Sequence, residues 1–444
     1  MSLLERLGDR DAEADEPRRP PSPPIPAAGP FRRDFWRSPL RGRWLTSFLG
    51  STLLPFVIVA ALTGFLSHAA YNPGLGSNDV SGGFEVDLYF FDWPAAPAWL
   101  YSLTQSLHLL AGFAAIPILL AKLWSVIPKL FERPATRSVA HALERLSLLT
   151  LVGSALFLFV SGVINVQYWL PFGFSFVPAH YYAALIFVAA LAVHLVLKLP
   201  VVARTFRREG AFRPLGEGIE RMRVADARED DLASPAPAAP TISRRGMLGA
   251  VALGSAGLLT MTAGSNLLGS VRGIALLSPR GQDYGDGPND FQVNKTAAYA
   301  GIDPARTGGS WRLGLTGAGG DINLTRADLL AMPQHAERLP IACVEGWTTW
   351  QDWQGVRLAD LAALAGVDAT SGGTVLVESL QEAGAFAQAT LASNQIFDPR
   401  SLLALRVNGA DLSLDHGYPA RVIVPALPGV HNTKWARRMT FMPA

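Results

Sequence analysis

Cysteine is all but missing. Cys343 is the only one in 444 residues, so no intrachain disulfide can form and this thiol needs another explanation. Charge is sparse as well. Charged residues make up 17% of the chain against 49% hydrophobic ones, more apolar than an average soluble protein, and the apolar excess lies before residue 280. No basic patch interleaved with aromatics occurs, which excludes a nucleic-acid partner. Nor is there a cleavable apolar signal at the N-terminus. Residues 1–43 are polar, with Pro20, Pro21, Pro23, Pro24 and Pro26 close together, and read as a disordered tail.

Five stretches hold no charged side chain at all: Trp44 to Leu66, Ala95 to Ala121, Leu146 to Leu170, Tyr181 to Leu197 and Met247 to Val271. Crossing a hydrocarbon core takes about 20 helical residues, and backbone amides in lipid must pair internally, so these read as transmembrane helices. The fourth is short, but Leu199 to Ala203 can extend it past Lys198, whose amine reaches toward the headgroups. Lys and Arg number nine in the tail, five in 122–145 and ten in 198–246, and none in the loops 71–96 and 171–180. The first of those loops instead holds Asp79, Glu85, Asp87 and Asp92. By the positive-inside rule the N-terminus is cytoplasmic, the chain crosses a cell membrane five times, and everything after Val271 is extracytoplasmic.

The fifth span is rich in Gly and Ala and follows Ser243-Arg244-Arg245-Gly246-Met247-Leu248. The hexapeptide looks like a twin-arginine export signal inside the chain. An ordinary pair of cytoplasmic flanking charges is the other reading, and sequence alone leaves both open. Before it, residues 205–242 form a charged, then Ala/Pro-rich linker. The expected divisions are a tail (1–43), a four-helix membrane domain (44–203), a cytoplasmic linker (204–246), the fifth helix (247–271) and an outer domain (280–444).

Four histidines attend the spans. His68 sits just past the first and His180 just before the fourth, while His108 and His194 lie near the middle of the second and fourth. Two imidazoles at one depth on facing helices can hold a haem, and depth pairs His108 with His194 and His68 with His180. The midplane pair, His108 and His194, is the better candidate for haem b; hydrogen-bonded interior histidines are the alternative. In outline this resembles four-helix b-type cytochromes.

Beyond residue 280, short apolar runs alternate with Gly and Pro turns. Strands are expected over 311–317, 374–378 and 421–425, and helices over 325–332, capped by Thr325 with Asp328, and 358–365. The chain is therefore multi-domain, a transmembrane α-helical bundle followed by an α+β domain large enough to bury its own core. Two segments of it stand out. Leu339-Pro340-Ile341-Ala342-Cys343-Val344-Glu345-Gly346-Trp347 puts the lone cysteine before a tryptophan-rich loop with Trp350 and Trp353. Asp415-His416-Gly417-Tyr418-Pro419-Ala420-Arg421, continuing to His431-Asn432-Thr433-Lys434-Trp435, gathers His, Arg and Lys around turns, a chemistry suited to binding phosphate.

At these residues the chain resembles the sulfite oxidase-fold family of molybdopterin oxidoreductases. In that family one cysteine thiolate ligates molybdenum, which implies Cys343 as the metal ligand and the centre of catalysis. A His-Gly-x-Pro-x-Arg stretch followed by Lys-Trp marks the family's cofactor-binding part, with His416, Arg421 and Lys434 in those places and Asn432 and Thr433 in the same loop. Asp290-Phe291-Gln292-Val293-Asn294-Lys295 resembles the pterin-contacting loop, with Asn294 as the contact. Soft thiolate ligation and charged groups gripping a pterin phosphate suit both segments. Two departures matter. The family's sulfite oxidases carry a basic residue shortly after the metal cysteine, where Glu345 and Trp347 stand here, so a substrate other than sulfite is implied. The chain also stops soon after Lys434-Trp435, so the family's dimerisation domain is expected to be absent. The whole layout looks like a membrane-bound actinobacterial branch.

The resemblance implies an enzyme holding molybdenum-molybdopterin and acting on a small-molecule substrate outside the membrane. Glu345, Trp347 and Trp350 would shape the metal's surroundings, and haem b with a quinone or another redox partner would link it to the bilayer. A sulfoxide-reductase-like enzyme of the same fold is the nearest alternative. A metal-free, membrane-tethered binding or assembly protein is the alternative of another class.

Overall fold

A computed structural model describes residues 29–78, 89, 91–132, 138–167, 174, 176–266, 273–277, 287–370, 372–382, 384 and 386–443. Most of the tail expected to be disordered lies outside the described residues, as do Asp79, Glu85 and Asp87, the expected ends of the third and fifth spans, and residues 280–286.

The apolar stretches form α1 (Arg43–Ala69), α2 (Leu100–Val126), α3 (Val139–Val166), α4 (Phe176–Glu209) and α5 (Arg244–Asn266). All five are long and apolar enough to cross a membrane. Helix α1 packs on α2, α3 on α4, and α5 on α2. Two boundaries differ from expectation. The second helix starts at Leu100, not Ala95, because Pro94 and Pro97 remove backbone donors and bias their predecessors away from helix. The fourth starts at Phe176, so His180 lies inside it and not before it. Lys198 pairs with Glu144 at 2.9 Å.

The linker is folded against the basic ends of the helices. Trp44 Nε1 donates to the Gly210 carbonyl (3.0 Å) and Ala238 N to Arg37 O (2.8 Å). Arg43 makes ion pairs with Asp230 and Asp231, and Lys129 also pairs with Asp231. The Arg- and Lys-rich segments that are described thus gather at one end of the bundle.

The C-terminal domain consists of β1 (Arg312–Gly317), β2 (Gly320–Thr325), α6 (Arg326–Ala331), β3 (His335–Ala342), β4 (Thr348–Arg357), α7 (Leu358–Leu364), β5 (Thr374–Ser379), β6 (Gln388–Ala392), α8 (Ser393–Ile396), β7 (Leu402–Val407), β8 (Ala410–Asp411), β9 (Arg421–Ile423) and β10 (Ala436–Met442). One sheet runs β2-β1-β10-β5-β6, with β1 parallel to β10. The other runs β3-β4-β7-β8, with β9 also paired to β7. The capping box at Thr325 and Asp328 forms as expected.

This domain sits on the opposite end of the bundle from the basic segments. Trp93, Tyr71 and Tyr101 from the helical half are buried in one cluster with Leu313, Val377 and Val424 of the domain. Polar contacts tie the seam. Trp93 Nε1 donates to Ala426 O (2.7 Å), Ala426 N to Ala98 O (3.1 Å), and Asn78 exchanges two bonds of 2.8 Å with the Thr390 backbone.

Candidate functional site

Cys343 follows β3 directly and is closed into a tight turn. Its N–H donates to Trp347 O (2.9 Å), and Gly346 N donates back to its carbonyl (3.0 Å). Gly346 has φ +97°, which favours glycine there. Ala342 bridges in parallel to Pro428, drawing the 429–435 loop alongside the cysteine. Glu345 and Trp347 are both buried, and the indole N–H donates to the Glu345 carboxylate at 3.1 Å. Trp350 departs from the expectation that it shapes the site: it is 41% exposed. Alternation along β4 turns Trp353 inward instead, where it is fully buried and lies 5.3 Å beneath the Arg421 guanidinium.

The phosphate-binding candidates converge around this turn. Arg421 is buried and donates to His416 O (3.0 Å) and Asn432 O (3.2 Å). Lys434 donates to Asp415 O (2.9 Å) and to Lys295 O. Gly417 (φ +110°) is required between them, since a Cβ there would press on both side chains at 3.1 Å. Asn294 uses its Oδ1 to accept from Lys295 N (2.9 Å), shaping its own loop. His416, expected at the cofactor, has both nitrogens engaged by the protein, Nδ1 with Ser413 Oγ (2.8 Å) and Nε2 with Phe291 O (3.2 Å). Its place in this structure is to pin the 291–294 loop.

Electrostatics show what the site lacks on its own. Burial drives the Arg421 guanidinium down to about 9, and burial with the Arg421 charge holds the Lys434 ammonium well below the usual lysine range. Burial also depresses Lys295, takes His431 to about 3 and, with the Arg421 charge, takes His416 to about 3. Crowded, desolvated cations call for an anion.

Hydrogen bonding points the same way. Gln292 Oε1, Arg421 Nε, both His431 nitrogens, Asn432 Nδ2 and Thr433 Oγ1 are buried and have no hydrogen-bond partner among the described residues. Such a concentration of unmet polar atoms is unusual in a folded core and fits a ligand rich in donors and acceptors. Asn432 and Thr433 were expected there. Gln292 and His431 were not singled out, although both stand in quoted segments. Among the described residues no three His, Cys, Asp or Glu side chains converge on a metal position. A metal at Cys343 must therefore bring its other ligands with it, as a pterin-chelated metal does.

A second site lies within the bundle. A cavity of about 220 Å³ opens between the helices, lined by His68, His108, His180 and Tyr181, and also by Tyr71 and by Val344 of the C-terminal domain. His108 and His180 face each other with ring centres 6.1 Å apart. This corrects the pairing by depth. His194 is not beside His108 but interacts with Lys122, Lys198 and Glu144, and His68 stacks on Tyr181 at 4.1 Å. The His108 Nδ1 is bonded to Ala60 O (2.7 Å) and the His180 Nδ1 to Ser161 Oγ (2.9 Å), so that Nε2 is the atom of each ring that could serve a ligand. Ring centres about 6 Å apart would allow both imidazoles to hold one metal, at about 2 Å per bond. Gly64 makes room for this pair, since a Cβ there would lie 2.8 Å from the His108 ring.

Comparison with known proteins bears on the C-terminal domain. Residues 300–444 match the family described as oxidoreductase molybdopterin binding domain. The chain is 34% identical over 119 residues to the uncharacterized oxidoreductase YuiH of Bacillus subtilis (strain 168), covering 27% of this chain and 58% of that one. It is 31% identical over 157 residues to mitochondrial sulfite oxidase of Mus musculus, covering 30% of this chain and 29% of that one. A crystal structure of the sulfane dehydrogenase SoxCD from Paracoccus pantotrophus matches 30% of this chain and 38% of its own, at 26% identity and a TM-score of 0.28. Residues 300–444 thus match the molybdopterin-binding oxidoreductase family and are similar in sequence to sulfite oxidase, while the chain spans 58% of the first of these relatives and 29% of the second.

Proposed function

We propose that this chain is a membrane-anchored molybdenum oxidoreductase acting on a small molecule at the outer face of the cell membrane, and that it exchanges electrons with the bilayer through haem b. The observation that carries this reading is the cluster of buried, partnerless polar atoms beside a lone buried thiol. In it Cys343 holds the metal, while Arg421, Lys434, Asn432, Thr433, His431, Gln292 and Asn294 bind the pterin and its phosphate. When bound, the cofactor supplies two-electron redox chemistry, and the protein supplies grip, orientation and exclusion of water. Topology is supported by the basic segments gathering at the end of the bundle away from the cofactor domain. His108 and His180 would hold the haem, and the wall shared with Val344, next to Cys343, supports direct exchange between the two sites. A membrane quinone, reaching the bundle from the bilayer, is the redox partner suited to that haem. The twin-arginine reading of Arg244 and Arg245 belongs to the same proposal, since a cofactor loaded in the cytoplasm must cross with a folded domain.

One observation favours the sulfoxide-reductase-like form over sulfite oxidation. The Glu345 carboxylate is buried two residues from the thiol, where it would repel a dianion. Purified protein should carry about one molybdenum per chain, and Cys343→Ser should abolish catalysis while changing domain stability by no more than about 1 kcal/mol. Neutral S-oxides or N-oxides should be turned over with a reduced dye as donor, and sulfite should not. Protein free of molybdenum would turn the reading toward a binding or assembly role.

A further inference from the structure

The cofactor-side groups all come from residues 291–434, but Cys343 also has neighbours from the other half of the chain. Tyr71 follows α1 and Tyr101 opens α2, and both rings are buried, at 3% and 1% exposure. Both phenols lie close enough to the Cys343 thiol to feel its charge. Tyr71 also meets the His431 ring edge to face at 5.6 Å and the Tyr101 ring at 6.4 Å. The two hydroxyls are near each other, and neither meets hydrogen-bonding geometry with any group among the described residues.

The seam around these tyrosines is specific. Gln105, one turn along α2 from Tyr101, donates from Nε2 to the carbonyl of Val344 at 3.0 Å. Ser102 Oγ meets Thr348 Oγ1 at 3.0 Å. These bonds hold α2 against both ends of the Cys343 turn. A hydrogen bond between the two phenols could satisfy only one of their two donors, so the buried pair keeps a proton and lone pairs for a third group. Phenols can donate and accept there without adding charge.

We propose that Tyr71 and Tyr101 are positioning residues of the metal site, supplied by the membrane half to the surroundings of the Cys343 sulfur. The inference rests on the molybdenum reading. It makes residues 300–444 an incomplete oxidoreductase: the domain grips the cofactor, and the helices provide the wall that an oxygen-bearing substrate meets. The cavity between the helices reaches the same Tyr71, so one side chain borders both candidate sites.

The test uses the full chain in detergent. Tyr71→Phe and Tyr101→Phe should leave molybdenum content at the parent level but shift the molybdenum EPR spectrum of dithionite-reduced protein and alter its pH dependence. A phenyl ring keeps the packing, so a purely structural role would not move that signature. A second readout needs no metal. In protein made by a host lacking the pterin, alkylation of Cys343 by iodoacetamide should be several-fold faster in Tyr71→Ala and Tyr101→Ala than in the parent. EPR spectra superimposable on the parent's for both Phe variants would overturn the proposal. So would unchanged alkylation in both Ala variants. Absence of molybdenum from the parent would instead strike the reading beneath it, and the alkylation rates would still decide where the tyrosines stand.

Discussion

At the scale of single residues, the C-terminal domain buries groups that would be charged in water and leaves their compensation to a ligand. His416 and His431 show what this does to pH dependence. Burial holds both imidazoles down at about 3 in the folded protein, whereas an unfolded chain titrates them near about 6.5. Between those values the unfolded chain binds more protons, so stability from these groups is full above about pH 6.5 and is lost as pH falls toward about 3. Thermal unfolding followed from about pH 7 to about pH 4 should show a falling midpoint, with a shallower slope in His416→Asn and His431→Asn. Equal slopes in parent and variants would remove these histidines from the acid response. Residue chemistry was most legible where it sits in a motif: Lys434 lies within electrostatic reach of both Arg421 and Cys343. Trp350 and Trp353 could not be told apart, because which one faces inward depends on the phase of β4. His431 and Gln292 were hidden for a different reason. Only a buried atom with no partner reveals them, and that is a property of three-dimensional packing.

At the scale of elements, absence of charge placed the five helices well, because lipid-length apolar runs have few other uses. Helix ends were less legible. Prolines delayed α2, whereas α4 takes in residues 176–180 because Pro178 falls in its first turn, where a missing backbone N–H costs little. That small shift matters, since it carries His180 into the bundle opposite His108. Pairing by depth placed His180 before the fourth span and so chose His194. The geometry makes a sharp prediction. A reduced-minus-oxidised spectrum of membranes overproducing the protein should show a b-type band that is lost in His108→Ala and His180→Ala and kept in His194→Ala. A band lost in His194→Ala and retained in His180→Ala would restore the pairing by depth.

At the scale of the whole molecule, the proposed export and the final structure would make different demands on Arg244 and Arg245. Arg244 is buried at 6% exposure, donating to Arg223 O (2.7 Å) and to Glu217 (3.4 Å) at the basic end of the bundle. Arg245 is exposed. A flanking-charge role needs only positive charge at both positions, and lysine supplies it. Recognition as an export signal needs the guanidinium pair. Arg245→Lys alone should therefore leave thermal stability within about 0.5 kcal/mol of the parent, as expected for an exposed site, yet slow export of residues 280–444. Replacing both with lysine should leave that domain on the cytoplasmic side, beyond the reach of protease added to intact spheroplasts. The stability measurement on the single variant separates a transport defect from a folding defect, which the double variant alone cannot do because Arg244 is also a clamp. Normal export of the double variant would reduce the pair to a charged flank. It would also remove the reason for moving a folded, cofactor-loaded domain across the membrane in a step of its own.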